Sequence, residues 1–537
     1  MSIRIELLSD NHAVPEIEQD QSRVRCLEVI PAILYYNLSR SYTNYKNSGG
    51  RKKFSIKPDC VIKDVLGMKT VEDVSVLNPF LEVERSHNIS SMGWRGVNVD
   101  RAYTMARRSY PKSMVGIIAP SSSPDANVGL TRCLSLEPEI TSLRGYCQTP
   151  KDKADLDKLN ESNLFSPTEL LIPFGVTRDD STRIGHMVKQ SKHALPTVKS
   201  SPVLISNGSE ETVRFHLSSD FAVNAEQDGK VVEKDPDSGI MVLEYQDGSH
   251  QAVNLKPKIV KNGGGGFFMS NQLETNYNVG DKFKKNEAIA WHKEFFKKDF
   301  DGTTRMTVGS LQKVAIMAEY GTHEDATFIT KKMSNDMGSE MTFCMSVVVG
   351  KNSNVDFIVH EGDHVEVGNT IIQFDTSYDE SELNKLLANL AKDPRLMETV
   401  MEDSRNNIKS KYAGKIESVK VYSTVDTDEM SDSLAKIVKE IYAKTKKKLN
   451  ILNKYDKESS IVKCGMLIDE PTGKLSPNKF GVLAGEKVDD DSILFKFYIS
   501  HVEPLEVGSK IANHTALKNT ICEIIPEGFE PWSSYRP

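Results

Sequence analysis

Between Leu170 and about Val349 the chain consists of short apolar runs separated by turn residues, and that punctuation limits its fold more than any other feature. Val231-Val232 and Ile240-Met241-Val242-Leu243 are compact apolar runs bounded by Asp-Gly pairs and by Asp237-Ser238-Gly239. Glycine next to aspartate supplies the left-handed backbone of a tight turn, so runs of this length read as strands. Val355 to Phe374 repeats the pattern as strand, turn, strand, and strand text resumes at Ile461. Two longer stretches read as helices: Ser381 to Ser404, broken at Pro394, and Thr427 to Lys447. The second closes on Lys444 to Lys448, positive charge that suits a helix C-terminus. The first fifty residues are mixed in charge and end in a loop, Asn47 to Lys53. Phe54 to about Cys147 alternates short helical and loop-like pieces, and Gln148 to Ser166 is a polar linker with a short helix from Asp152 to Leu159. The expected fold is mixed α+β and β-rich, without solenoid repeats.

At 537 residues the chain has room for several domains. Its net charge of −7 excludes a polybasic nucleic-acid binder, so any contact to DNA or RNA must be a local patch opposing the overall field. Seven scattered cysteines, odd in number and never in a C-x-x-C pair, fit a reducing compartment and argue against a disulfide framework or a structural zinc. Met1 to Glu6 carries no apolar secretory core, and no window approaches the roughly 18 apolar residues of a membrane span.

Several motifs invite a chemical reading and are better explained plainly. Gly263 to Gly266 lacks the Gly-Lys-Ser/Thr of a phosphate loop and is expected to be a hairpin connection. Asp299-Phe300-Asp301-Gly302 places two carboxylates beside Lys297-Lys298, a poor cage for a hard dication, and reads as a surface turn. His360-Glu361-Gly362-Asp363-His364 fits the letters of a zinc motif that works only on a helix, whereas the flanking alternation predicts a turn. His186 and His193, near Asp179 and Asp180, read as structural histidines. The strongest local charge signal is the segment Arg95 to Lys112, in which Arg95, Arg101, Arg107 and Arg108 interleave with Trp94, Tyr103 and Tyr110. Arginines alternating with planar rings suit phosphate contact and base stacking.

Near the end of the chain, Pro504 to Lys518 sets two lysines, Lys510 and Lys518, eight positions apart after a β-rich stretch from Ile493 to Ser500. This block resembles G-D-K-M-A-G-R-H-G-N-K-G-V of the β (second-largest) subunit of multisubunit DNA-dependent RNA polymerases, with Gly508, Lys510, Ala512 and Lys518 matching without a gap. Earlier blocks resemble that family in the same order. Asn78-Pro79 with Ile89 to Gly93 is similar to N-P-L-S-E-I-T-H-K-R-R-I-S-A-L-G, the rifampicin wall, and Asn127-Val128-Gly129-Leu130 to N-I-G-L. Leu171 to Phe174, Asp179-Asp180 and Arg183 resemble L-I-P-F-L-E-H-D-D-A-N-R. Gly321 to Asp325 resembles G-Y-N-F-E-D, and Gly414 to Tyr422 the flap text. Departures are also visible: E-T-P-E-G has become Ser121 to Asp125, and glycines around the second lysine are replaced at Asn513, Ala516 and Asn519. Drift of this kind resembles the split polymerases of giant bacteriophages.

The resemblance implies a β-subunit architecture with a fork region, part of a double-psi β-barrel and an inserted flap. It divides the chain into an extension at 1–60 that meets another β fragment, a fork and rifampicin-pocket-like region at 61–165, an external and hybrid-binding region with the first barrel part at 166–345, a flap-like insertion at 346–465, and the second barrel part at 466–537. Lys510 and Lys518 would hold RNA phosphates near the 3′ end, Arg183 with Asp180 would hold the incoming nucleoside triphosphate, and Glu324 and Asp325 would lie near the second metal or the nucleotide entry route. Arg95, Arg101, Arg107 and Arg108 would contact nucleic acid. Mg²⁺ is expected on a β′-like partner chain carrying N-A-D-F-D-G-D. Other partners implied are further β fragments, a promoter-specificity subunit, template DNA and the RNA transcript, with no membrane. The expected location is the cytoplasm of an infected bacterial host, or the virion. Two rival readings are a non-catalytic nucleic-acid-binding scaffold of the same fold, and a stand-alone nucleotidyltransferase using Asp299 and Asp301.

Overall fold

The computed structural model describes residues 24, 28–55, 58–68, 70–71, 77–94, 96–109, 114–122, 126–142, 145–147, 159–175, 181–261, 268–317, 324–375, 405–455, 461–463, 472–514 and 516–532. The expected helix from Ser381 to Ser404, the short helix from Asp152 to Leu159 apart from Leu159 itself, and the four-glycine loop lie outside them. The described chain is mixed α+β and strand-rich, with several antiparallel sheets.

Its centre is a six-stranded sheet in the order His364–Val365, Gly414–Ser423, Ser492–Glu503, Ser339–Gly350, Phe268–Asn271, Lys258–Lys261, antiparallel throughout. The two longest strands pair without a break from Ser339↔Glu503 to Gly350↔Ser492. Ile493, Leu494, Phe495, Phe497 and Ile499 are all fully buried, so this strand is covered on both faces. A strand covered on both faces reads as a near-continuous apolar run rather than an alternation. Lys258–Lys261 and Phe268–Asn271 pair with Lys261 opposite Phe268, so the strands flanking the glycine loop form a hairpin ladder.

A five-stranded sheet follows the order Lys282–Phe283, Gly229–Asp235, Ile240–Tyr245, His250–Asn254, Ile461–Lys463. Its predicted turn forms as the residue chemistry dictates: the Asp235 carboxylate accepts from Ser238 N at 3.0 Å, and Gly239 takes φ +70°. Period two then splits the next run. Met241 and Leu243 face Val231, Val253 and Phe283, while Ile240 and Val242 face Ile451 and Leu452.

The last pair belongs to the helix Asp432–Tyr455, which corrects the sequence reading. A short 3-10 turn occupies Thr427–Glu429, and the helix runs eight residues past Lys447. The lysine cluster is therefore mid-helix. Its charges answer neighbouring sheets instead of the helix dipole: Lys444 pairs with Glu361 at 3.3 Å, and Lys447 with Asp235 at 3.1 Å and Asp237 at 3.0 Å. Burial of Ile451 and Leu452 carries the helix onward, at about 1.5–3 kcal/mol for each side chain fully removed from water. At its other end Leu434, Val438 and Tyr442 join the core of the central sheet. One helix thus ties together the cores of two sheets.

The first fifty residues contain a helix, Val29–Asn47, ahead of the expected loop. Among the described residues no helix is long and apolar enough to cross a membrane.

Candidate functional site

The two lysines sit on a small hairpin. Lys510–Ala512 pairs antiparallel with Lys518–Ile525, with Lys510 opposite Thr520 and Ala512 opposite Lys518. Opposed residues share a face, so Lys510, Ala512, Lys518 and Thr520 point one way. Burial agrees: these four are exposed, whereas Ile511 and Asn519 are half-buried and Ile521 is fully buried. The lysines are diagonal neighbours across the ladder, with stems about 7–8 Å apart. Two ammonium groups at that separation form one positive patch able to hold nearby phosphates of a single strand.

The connecting turn explains why the family's glycines can be lost. Asn513 N donates to Leu517 O at 3.0 Å, and the Asn513 side chain accepts from Leu517 N at 3.1 Å. Ala516 takes φ +64°, the left-handed conformation in which glycine stands in the family block. Holding it costs about 1–2 kcal/mol relative to glycine. Two contacts offset this: Ala516 packs against Ile172, Ile184, Met187 and Val188, and its carbonyl accepts from Gln190 Nε2 at 3.3 Å.

Those partners bring Arg183 to the hairpin. Ile184, Met187, Val188 and Gln190 lie on the helix Ser181–Ser191, where Arg183 is exposed one turn from the residues that grip Ala516. Asp180 lies outside the described residues. Asn78 fixes both this helix and the next one. Its amide donates to Ser191 O at 2.8 Å and Ala194 O at 2.6 Å, and its carbonyl oxygen accepts from Phe80 N at 2.7 Å. It therefore closes one helix and caps the start of Pro79–His87, with proline at the first helical position. The sequence reading takes Asn78-Pro79 as loop punctuation; the structure makes the pair a helix start, because the Asn78 side chain accepts from the first backbone N–H groups.

Glu324 and Asp325 reach the same place by a different route. Ala326–Thr330 lies parallel to Lys518–Ile525, with Ala326 opposite Thr520, and Asp325 O accepts from Thr520 N at 2.8 Å. Thr520 is also the residue facing Lys510. Both carboxylates are exposed, and Asp325 sits at φ +60°. Lys510, Lys518, Glu324, Asp325 and the helix bearing Arg183 are thus gathered around one three-stranded sheet. Sequence reasoning missed His514 in the turn between the lysines. Burial lowers its basicity, with Glu210 opposing, so the ring is held toward its neutral form.

The basic segment divides in two. Arg101 and Arg107 are exposed, as is Tyr103. Arg108 is half-buried and donates to the carbonyls of Ala102, Ala126 and Val128, the last two at 2.9 Å. Its guanidinium holds the backbone together, which is a different role from the expected nucleic-acid contact. Arg95 lies outside the described residues.

The other motifs take their plain forms. Asp299 to Gly302 is the turn between strands Phe296–Lys298 and Thr304–Met306. Arg305 bridges its carboxylates, at 2.9 Å to Asp299 and 2.6 Å to Asp301. Carboxylates held by one guanidinium do not fit a magnesium site. His360 to His364 is a turn closed through Asp363, whose carboxylate accepts from His360 N at 2.8 Å. His186 is exposed on its helix. Among the described residues no three His, Cys, Asp or Glu side chains form a group suited to a metal ion.

Residues 2–100 match the family described as Bacteriophage RNA polymerase. The DNA-directed RNA polymerase subunit beta of Bigelowiella natans is 22% identical over 436 residues, which are 66% of this chain and 38% of that protein. The subunit of the same name from Protochlamydia amoebophila (strain UWE25) is 23% identical over 475 residues, 70% of this chain and 36% of that one. The chain spans little more than a third of the length of these relatives. It carries the sequence pattern of the bacteriophage RNA polymerase family over its first hundred residues and is distantly similar, over about two thirds of its length, to the β subunits of DNA-directed RNA polymerases.

Proposed function

We propose that this chain is one portion of the β subunit of a multisubunit DNA-dependent RNA polymerase, and that it positions the RNA 3′ end and the nucleoside triphosphate for phosphoryl transfer. The observation that carries the reading is the convergence of Lys510, Lys518, Asp325 and the Arg183 helix on one sheet, from segments far apart in sequence. Phosphoryl transfer depends mainly on positioning and charge neutralisation, which exposed ammonium and guanidinium groups supply. Lysine suffices at the RNA because a phosphate is a point charge and sequence must not be read. Arg183, with Asp180, is assigned to the triphosphate, and Glu324 and Asp325 to its entry route. Arg305 engages both carboxylates of Asp299-Phe300-Asp301, the stretch that resembles a metal loop, so the catalytic Mg²⁺ is assigned to a β′-like partner. In this reading the central sheet is part of a double-psi barrel, the insertion at 346–465 is the flap, and the remaining β parts, a promoter-specificity subunit, template DNA and transcript complete the assembly.

The test is elongation by the assembled complex carrying Lys510→Ala, Lys518→Ala or both. Each single change removes a charge-assisted contact worth about 1.5–3 kcal/mol and should slow elongation roughly 10- to 150-fold on every template, with co-purification of partners intact. The isolated chain should incorporate no nucleotide. Wild-type elongation by the double variant would favour the scaffold reading. Incorporation by the isolated chain that Asp301→Ala abolishes would favour a stand-alone enzyme.

A further inference from the structure

The stretch 29–55 carries Arg40, Lys46, Arg51, Lys52 and Lys53 and no acidic residue, in a chain where aspartate and glutamate make up 75 of 537 residues. The same stretch holds Tyr35, Tyr36, Tyr42, Tyr45 and Phe54. The helix Val29–Asn47 and the turn after it set these groups side by side. Tyr35 and Tyr42 are seven residues apart, so the helical period places them on one side, about 10 Å apart along the axis, with Lys46 one turn further. Both rings are open to solvent, at 72% and 58% exposure. The opposite side is the one that packs: Ile33 is buried, and Asn37 donates at 3.1 Å to Asp64 of the helix Pro58–Leu66.

After Asn47 the chain doubles back along the helix. Gly50 N donates to Tyr45 O at 3.1 Å, Lys52 N to Ser48 Oγ at 3.0 Å, and Ser41 Oγ to Ser55 O at 2.9 Å. Phe54 thereby meets Tyr42 and Tyr45 edge-on, each at 6.4 Å between ring centres. Arg51, Lys52 and Lys53 are therefore held beside the tyrosines. On another flank Tyr36 meets Trp94 edge-on at 6.0 Å, so the helix abuts the segment that carries exposed Arg101, Tyr103 and Arg107. Arg107 donates to Arg101 O at 3.2 Å, and Asp100 is exposed in that segment. Among the described residues none of the seven cations Arg40, Lys46, Arg51, Lys52, Lys53, Arg101 and Arg107 is in an ion pair.

We infer that this surface binds a single strand of nucleic acid, with phosphates on the cations and unpaired bases against the tyrosine rings. Cations without a carboxylate partner give salt-dependent phosphate contact, and every base has a face that stacks on an aromatic ring, so sequence should matter little. A duplex keeps its bases stacked on one another and would leave the rings unused. A protein partner fits less well, because the cores of protein interfaces are depleted in charge and in lysine. The inference draws on the polymerase reading only for the source of the strand, and it involves no residue of the two-lysine hairpin.

The experiment is fluorescence anisotropy of the full chain with labelled oligo-dT and oligo-U, and a duplex of the same length as contrast. The expected result is binding of both single strands in preference to the duplex, weakened by salt. Arg51→Gln and Lys53→Gln should each lower the slope of log affinity against log salt by about 0.7. Tyr35→Ala and Tyr42→Ala should each weaken binding about 5- to 150-fold at constant slope. Lys436→Gln, which removes an exposed cation from the helix Asp432–Tyr455, should change neither. Hydrogen exchange on the unmodified chain gives a readout free of substitutions: oligo-dT should slow exchange in 36–53 and 96–107, and in the assembled complex these peptides should stay fast until oligo-dT is added. Absence of single-strand binding, equal affinity for the duplex, unchanged binding in the tyrosine variants, or protection of 36–53 by assembly alone would overturn the inference, the last by assigning the face to a partner subunit. Wild-type elongation by the variant lacking both hairpin lysines would count against the polymerase reading and leave this binding intact.

Discussion

Gly129 is a position where the fold places a sharp mechanical demand. Its φ is +74°, and a Cβ added there would stand 2.2 Å from the carbonyl oxygen of Arg108. That carbonyl has little room to retreat. Arg132 donates to it, and the Arg108 side chain is anchored on the carbonyls of Ala102, Ala126 and Val128. Gly129→Ala therefore carries two costs. The left-handed backbone alone costs an L-residue about 1–2 kcal/mol. Displacing Arg108 forfeits at least one charged hydrogen bond, worth about 1.5–3 kcal/mol, for a total of roughly 3–5 kcal/mol. Gly280 supplies the control: its φ is +93°, but nothing lies within 4 Å of an added Cβ, so only the backbone cost applies. Hydrogen exchange followed by mass spectrometry reads the difference locally. Protection in peptides covering 99–109 and 126–134 should fall roughly 100-fold or more in Gly129→Ala, at about 1.36 kcal/mol per factor of ten, and remain unchanged in Gly280→Ala. If the two variants behave alike in those peptides, the steric argument is wrong and Arg108 is not a structural clamp.

Arg101→Ala and Arg107→Ala should each lower the slope of log affinity against log salt for single-stranded nucleic acid by about 0.7, whereas Arg108→Ala should reduce thermal stability instead; equal slope changes in all three would refute the division of roles. Burial pushes the Glu294 carboxyl up to about 7 from its ordinary 4.5, with Lys293 opposing and Glu340 adding repulsion. The folded protein thus holds that proton more tightly than the unfolded chain, so the contribution is fully present below pH 4.5 and lost as pH rises to about 7. Glu294→Gln should accordingly raise the melting temperature at pH 8, by the equivalent of about 1–3 kcal/mol, and leave it unchanged at pH 4.5; an equal gain at both pH values would trace the effect to packing.

What the sequence disclosed was chiefly local chemistry. The turn at Asp235 to Gly239 was legible because an aspartate that accepts from the backbone and a glycine that tolerates positive φ act within five residues. The end of the helix at Tyr455 was not, because burial of Ile451 and Leu452 depends on Ile240 and Val242, some 200 residues earlier. At the candidate site the lysine spacing was readable, while its meeting with Asp325 and Gln190 required the fold. Arg107 and Arg108 illustrate the limit: identical neighbours in the text, one exposed and the other holding three carbonyls. The helix Val29–Asn47 escaped notice because Tyr35, Tyr42 and Tyr45 stay exposed and its apolar residues form no clear stripe.

The parallel pairing of Ala326–Thr330 with Lys518–Ile525 has a consequence for how the protein is made. Thr327 and Cys522, joined across that ladder, are 195 residues apart in the chain. At about 5–20 residues per second, a ribosome adds the second roughly 10–40 s after the first. Throughout that interval Ala326–Thr330 is a nascent edge without its partner, the kind of template on which chains mispair. The candidate site is thus completed only once Lys518–Ile525 has been made, and stalling or truncation shortly before Lys518 would release a product with the central sheet's strands built and its two-lysine hairpin missing.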